Sequence, residues 1–259
     1  MQLLHSATRN YSWGSRTLIP HLQGQPDSDK PVAELWFGAH PGDPSTVDGR
    51  LLNEVIAEDP AGQLGGRVSA EYGERLPFLL KVLAAEEPLS LQAHPSKTQA
   101  EEGFARENAA GIELTASNRN YKDDNHKPEL IVALTDFYAM AGFRPLARTR
   151  ELFAALGCPE LDHYVAMLDD DPSATTESAN LRVLFTTWIT IPSAKRKELI
   201  SAIVAAGERL IAADPADWKS RVMSTVLELN QRYPGDIGVL GALLLNHIEL
   251  SPGEAVYLD

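Results

Sequence analysis

Over the first 145 residues the apolar positions come in short runs broken by Pro and Gly, the pattern of brief strands joined by turns. It predicts strands over 33–39, 78–83, 89–94 and 129–134. Two helical stretches interrupt them, one over 52–58 and one after Pro95, where Ser96 is placed to cap a helix running through Gln99, Glu101 and Phe104 to Glu107. From Leu146 the spacing of apolar residues lengthens to about 3.6, which predicts helices over 146–156, 180–191 and 193–213. A further helix over 215–233 would open on Asp214 as cap with Pro215 in its first position, and stop at Tyr233-Pro234-Gly235. Strand character returns at 246–250 and 255–258, joined by a Ser251-Pro252-Gly253-Glu254 turn. The fold class expected is therefore mainly β with an α insertion. A β domain would comprise 1–145 and 236–259, with a helical domain over 146–235. Many short strands with turns between them suggest a barrel or sandwich, of which the double-sheet jelly roll is one form.

Composition narrows the chemistry. With 44% apolar and 23% charged residues the chain can bury a sizeable core. Its single cysteine, Cys158, excludes an internal disulfide and a Cys-rich zinc site, so any metal must be held by His, carboxylate or amide. The charge of 23 − 36 = −13 argues against nucleic acid and anionic membrane as partners, because both need a basic surface. A small phosphorylated ligand stays open, provided Lys, Arg and hydroxyl groups gather locally. Residues 1–13 lack the unbroken apolar stretch of a secretory signal, and the longest apolar run, near 238–245, is too short to span a bilayer. A soluble, cytoplasmic protein is expected.

Two segments carry candidate ligands. In Leu89-Ser90-Leu91-Gln92-Ala93-His94-Pro95 the polar residues recur every second position, so a strand there would put Ser90, Gln92 and His94 on one face. On a solvated sheet that stripe is ordinary surface; in a barrel interior those groups need partners, and a metal ion would satisfy them. The second is the polar loop Asn120-Tyr121-Lys122-Asp123-Asp124-Asn125-His126 running into Lys127-Pro128-Glu129-Leu130-Ile131-Val132. Extended geometry puts Lys127 and Glu129 on one side and His126 on the other, while Pro128 restricts the site to an edge or a strand's start. Its plain alternative is a solvated charged turn before a core strand. His94, Glu129 and the amide oxygen of Gln92 make a plausible three-ligand zinc set.

The motifs Tyr11-Ser12-Trp13-Gly14-Ser15, Ala33-Glu34-Leu35-Trp36-Phe37-Gly38-Ala39-His40-Pro41, Leu76-Pro77-Phe78-Leu79-Leu80-Lys81-Val82-Leu83, Ser90-Leu91-Gln92-Ala93-His94-Pro95 and His126-Lys127-Pro128-Glu129 resemble, in order, those of the type I mannose-6-phosphate isomerases. The resemblance is strong over 1–145 and 233–259 and loose in the helical block. It implies a cupin-type jelly-roll barrel with a helical insertion, a zinc cofactor, and interconversion of mannose 6-phosphate and fructose 6-phosphate. A small phosphorylated sugar would be the partner of a monomer. By that likeness Gln92, His94 and Glu129 are zinc ligands, Ser90 and Lys81 lie near the substrate phosphate, and Glu34 and Trp13 line the pocket. For Glu34 and Trp13 the plain alternatives are a salt-bridged Glu and a structural Trp.

The same likeness places Lys127 in the catalytic centre. An aldose–ketose conversion moves a proton between adjacent carbons through an enediolate, which requires a proton carrier, a stabiliser of negative charge and a phosphate anchor. Lys127 and His126 are the candidate carriers. Leu250-Ser251-Pro252-Gly253-Glu254-Ala255-Val256-Tyr257-Leu258-Asp259 resembles the family stretch leading into a fourth ligand, a histidine a few residues on. The expectation is a chain truncated before its metal site is complete. A non-catalytic sugar-phosphate binding protein is the alternative of a different class. An iron-dependent cupin oxygenase would need a second His ligand that is not evident here.

Overall fold

A computed structural model of the chain describes residues 2–168 and 174–258, with 174–178 described by backbone alone. The chain forms two compact units, 1–89 and 90–259.

The first unit contains β1 (Leu4–His5), β2 (Ala7–Arg9), α1 (Leu18–Leu22), β3 (Glu34–Phe37), β4 (Thr46–Val47), β5 (Arg50–Leu51), α2 (Leu52–Glu58), α3 (Pro60–Leu64), α4 (Gly66–Tyr72) and β6 (Leu80–Leu83). Its main sheet is antiparallel in the order β2-β3-β6. Alternation along β3 sends Leu35 inward, where it packs with Ile19, Ala84, Val32, Phe37 and Val82. Glu34 and Trp36 share the other face. A second sheet, β1-β4-β5, turns at Asp48-Gly49, whose φ values of 49° and 79° suit the two-residue hairpin that Asp-Gly favours. Gly14 is demanded by sterics: a Cβ there would stand 2.5 Å from Ala33 Cα, where the two backbones pass.

The second unit contains α5 (Lys97–Ala109), β7 (Glu129–Val132), β8 (Phe137–Phe143), α6 (Leu146–Leu156), α7 (Pro159–Val165), α8 (Ala174–Thr190), α9 (Ser193–Ala213), α10 (Trp218–Arg232), α11 (Ile237–Ala242), β9 (Leu245–Leu250) and β10 (Ala255–Leu258). Helices α6 to α11 share one apolar core in which Leu152, Leu184, Trp188, Ile203, Met223 and Leu240 are fully enclosed. Arg144, buried between β8 and α6, ties this core to the following sheet by donating to the carbonyls of Leu243 and Leu245.

Several expectations need correction. Residues 89–94 form no strand. Their alternation is real, but alternation describes a strand only when a neighbour supplies the ladder hydrogen bonds. The helix after Asp214 begins later: Asp217, not Asp214, caps α10, its carboxylate accepting from Lys219 N at 2.7 Å. Residues 246–250 and 255–258 are strands joined by the expected turn, yet they do not pair with each other; β9 pairs β8 and β10 pairs β7. Helices α3 and α4 were not foreseen because neither buries a residue, so neither leaves an apolar period in the sequence. Among the described residues the strands make four sheets of two or three strands and no closed barrel. The structure is thus a mixed assembly of helices and small antiparallel sheets.

Candidate metal centre and polar sheet face

In the second unit, residues 90–95 run without regular structure into α5. The helix starts on a reciprocal cap: Ser96 Oγ accepts from Gln99 N at 3.3 Å, and Gln99 Oε1 accepts from Ser96 N at 2.9 Å. That cap, with Pro95 before it, fixes how the chain leaves His94. Glu129 opens β7 opposite Leu258, directly after Pro128, where a proline is tolerated because the ladder has not yet begun.

These two segments bring His94 Nε2 to 3.8 Å from Glu129 Oε2. The gap is too wide for a hydrogen bond. A tetrahedral zinc ion with bonds of about 2.0–2.2 Å would hold two donors about 3.3–3.6 Å apart, so the pair fits the ion to within a few tenths of an ångström. Both are donor types that zinc accepts, and the two side chains are 21% and 45% exposed. Among the described residues no three His, Cys, Asp or Glu side chains converge on one point. Among the described residues, a further ligand to this pair would have to be an amide, a hydroxyl or a backbone oxygen. Gln92 is exposed two residues before His94, and Ser90 is exposed two residues before that.

Lys127 lies just ahead of β7 rather than in it, with its Nζ 3.3 Å from Asp123 Oδ2. His126 is exposed in the same loop. The shared strand face expected for Lys127 and Glu129 is therefore not formed by a regular strand.

The first unit supplies a separate polar constellation on one face of β2-β3-β6. Register sets Arg9 opposite Glu34 and Lys81 opposite Trp36, and alternation puts Glu34 and Trp36 on the same side. Glu34 is buried at 6% exposure, accepts from Trp36 Nε1 at 2.8 Å and pairs with Lys81 Nζ at 3.5 Å. The Trp36 ring has two cations near it, Arg9 and Lys81, each 5.0 Å from the ring centroid. Arg9 is in turn fixed by Asp43 at 2.7 Å, and this hydrogen bond holds its guanidinium pKa above the usual value. Trp13 stacks on Tyr11 with ring centroids 5.5 Å apart. Sequence reasoning missed Arg9, Trp36 and Asp43 as members of this face. For Trp36 the signal was present: it stands two residues after Glu34 in a period-two strand. For Arg9 and Asp43 only the tertiary pairing reveals it.

A carboxylate–imidazole pair at metal-ligand spacing is thus carried by the segments that hold the resembling motifs. Residues 1–146 match the family model for the catalytic domain of type I phosphomannose isomerase, and the chain belongs to that family. It is 39% identical to the mannose-6-phosphate isomerase of Escherichia coli K12 over 266 residues, covering all of this chain and 64% of the relative. To the human mannose-6-phosphate isomerase it is 33% identical over 279 residues, with 99% of this chain and 62% of the relative covered. A crystal structure of the Salmonella typhimurium enzyme bound to fructose 6-phosphate and zinc superposes with a TM-score of 0.84 at 35% identity, over all of this chain and 63% of that one. The chain thus spans somewhat less than two thirds of the length of these relatives. No described helix is long and apolar enough to cross a membrane.

Proposed function

We propose that this chain carries the metal-binding and substrate-binding portion of a zinc-dependent aldose–ketose isomerase that interconverts mannose 6-phosphate and fructose 6-phosphate. The observation that carries the reading is the 3.8 Å approach of His94 and Glu129, from two separate segments, in a chain of the phosphomannose isomerase family. His94 and Glu129, with Gln92 as a neutral oxygen donor, would hold the ion. Bound there, zinc supplies a Lewis acid for the substrate's oxygens.

The remaining roles belong to the chain's own groups. Lys81 and Ser90 would bind the substrate phosphate through charge-assisted hydrogen bonds. Lys81 can do this without leaving Glu34 bare, because Trp36 Nε1 also donates to that carboxylate. Glu34 and Trp13 would line the sugar site. Lys127 is the proposed proton carrier or charge donor, with Asp123 as its counter-charge, and His126 the alternative carrier. The strands are proposed to belong to a cupin-type jelly-roll domain of residues 1–145 and 236–259, with 146–235 as helical insertion; the core shared by α6 to α10 supports the second part. Solubility in the cytoplasm and a monomeric state complete the proposal, in keeping with the charge of −13.

The test is zinc binding and fructose 6-phosphate binding by the 259-residue chain, with turnover assayed with and without a chelator. Expected are zinc binding that His94→Ala and Glu129→Gln each weaken strongly, and sugar-phosphate binding weakened by Lys81→Met. Binding of iron in preference to zinc, or zinc binding indifferent to both substitutions, would defeat the reading; sugar-phosphate binding with no turnover in a chain extended to the relatives' length would favour a binding protein over an enzyme.

A further inference from the structure

We infer that helix α5 sets the spacing of the two metal-ligand candidates, with Glu107, Arg119, Gly103 and Lys97 as positioning residues. This rests on the metal reading of His94 and Glu129. The helix begins immediately after His94-Pro95, and its length is used to hold the loop that delivers Glu129. At its C-terminal end the Glu107 carboxylate accepts from Asn120 N at 3.1 and 3.2 Å, from Asn120 Nδ2 at 3.0 Å and from Tyr121 N at 2.9 Å. It also pairs with Arg119 Nε at 3.1 Å, and the Arg119 side chain is completely enclosed. That guanidinium donates onward to Ile112 O at 2.7 Å and Asn108 Oδ1 at 2.8 Å.

In the middle of the helix the Tyr121 ring lies flat on Gly103, so close that a Cβ there would be 2.5 Å from it. At the N-terminal end Lys97 Nζ donates to Asp124 O at 2.8 Å and Asn125 Oδ1 at 3.2 Å. The loop is therefore held at three heights along one helix. Asn125 precedes Glu129 by four residues, and Lys97 follows His94 by three.

The character of the helix argues that this is its purpose. Its fully buried residues are Ala100, Gly103 and Glu107, and the large apolar side chain on the same stripe, Phe104, is only half-buried, with the Arg119 guanidinium 5.0 Å from its ring centroid. A buried ion pair is weak evidence of a stability device, since desolvation cancels much of its attraction, whereas a fully hydrogen-bonded one fixes a geometry. Here Glu107 meets two backbone N–H groups and a side-chain amide, and its pKa is held below the ordinary carboxylate value first by the Tyr121 N–H. The charge is thus spent on the course of the backbone just upstream of Lys127 and Glu129.

The experiment compares zinc affinity of the 259-residue chain, by competition with a chromophoric chelator, with amide exchange across 119–129, for wild type, Lys97→Met, Gly103→Ala, Glu107→Gln and His94→Ala. Expected are faster exchange in 119–126 and zinc affinity about 10 to 100-fold weaker in Glu107→Gln and Lys97→Met, with exchange in α9 and α10 unchanged. Lys97 is a surface residue whose side chain is 44% exposed, so its variant keeps the test decisive if Glu107→Gln fails to fold. Faster loop exchange with zinc affinity within about threefold of wild type would reduce α5 to a structural support and overturn the inference. Zinc binding insensitive to His94→Ala would instead defeat the metal reading, and the inference with it.

Discussion

Trp36→Phe isolates a single hydrogen bond in the polar sheet face. Phenylalanine keeps a ring between Arg9 and Lys81 and keeps its place in β3, but it removes the Nε1–H that donates to Glu34 Oε2 at 2.8 Å. Glu34 is buried at 6% exposure, and its other partner, Lys81, stands at 3.5 Å, too far to replace the lost donor fully. A hydrogen bond to a charged group contributes about 1.5–3 kcal/mol, so the β2-β3-β6 sheet should open more easily by about that amount. Trp36→Leu removes the ring as well, forfeiting two cation–π contacts worth about 0.5–1 kcal/mol each at partly exposed sites. The expected order of stability is wild type, then Phe, then Leu. Native-state amide exchange of β2, β3 and β6 reads these opening free energies without interference from the helical core. A cycle with Glu34→Ala completes the test: with the acceptor gone, Trp36→Phe should cost little, giving a coupling of about 1.5–3 kcal/mol. Coupling below about 0.5 kcal/mol would show that Trp36 and Glu34 are neighbours without energetic consequence, and the reasoning would fail.

Two further outcomes are expected in the helical unit. Arg144→Met removes two charge-assisted hydrogen bonds to Leu243 O and Leu245 O while also relieving the burial that holds this guanidinium pKa below its usual value, for a net loss of about 2–4 kcal/mol in urea unfolding; no loss would mean that those carbonyls find water. Burial also pushes the His247 imidazole below its ordinary pKa of 6.5, so the unfolded chain takes up that proton at higher pH than the folded one. Its contribution is then neutral above about 6.5 and becomes destabilising as pH falls below it; melting temperature should decline from pH 7 to pH 5, and His247→Gln should flatten that decline.

Local chemistry made part of this protein readable in its residues. The Ser96–Gln99 cap announces α5 from four consecutive positions, and the apolar periods of α2, α6 and α9 end where the helices do, because capping and amphipathic burial act within one or two turns of chain. The strands at Glu129–Val132 and Ala255–Leu258 were legible for the same reason, yet their mutual pairing was not, since nothing within either segment names its partner across more than a hundred residues. Residues 89–94 mark the limit most clearly: a perfect alternation of side chains stays irregular where no strand offers its backbone, and pairing is a property of two segments. The polar alternation before Pro95 and the polar loop before Leu130 offered His94 and Glu129 as candidate ligands, and the resemblance carried by the motifs implied the same role. That they stand 3.8 Å apart, that Arg9 and Trp36 join Glu34 and Lys81 on one sheet face, and that Glu107 anchors the loop before Lys127 were decided only by tertiary structure. Contacts between residues dozens of positions apart depend on loop closure and register, which no local pattern encodes.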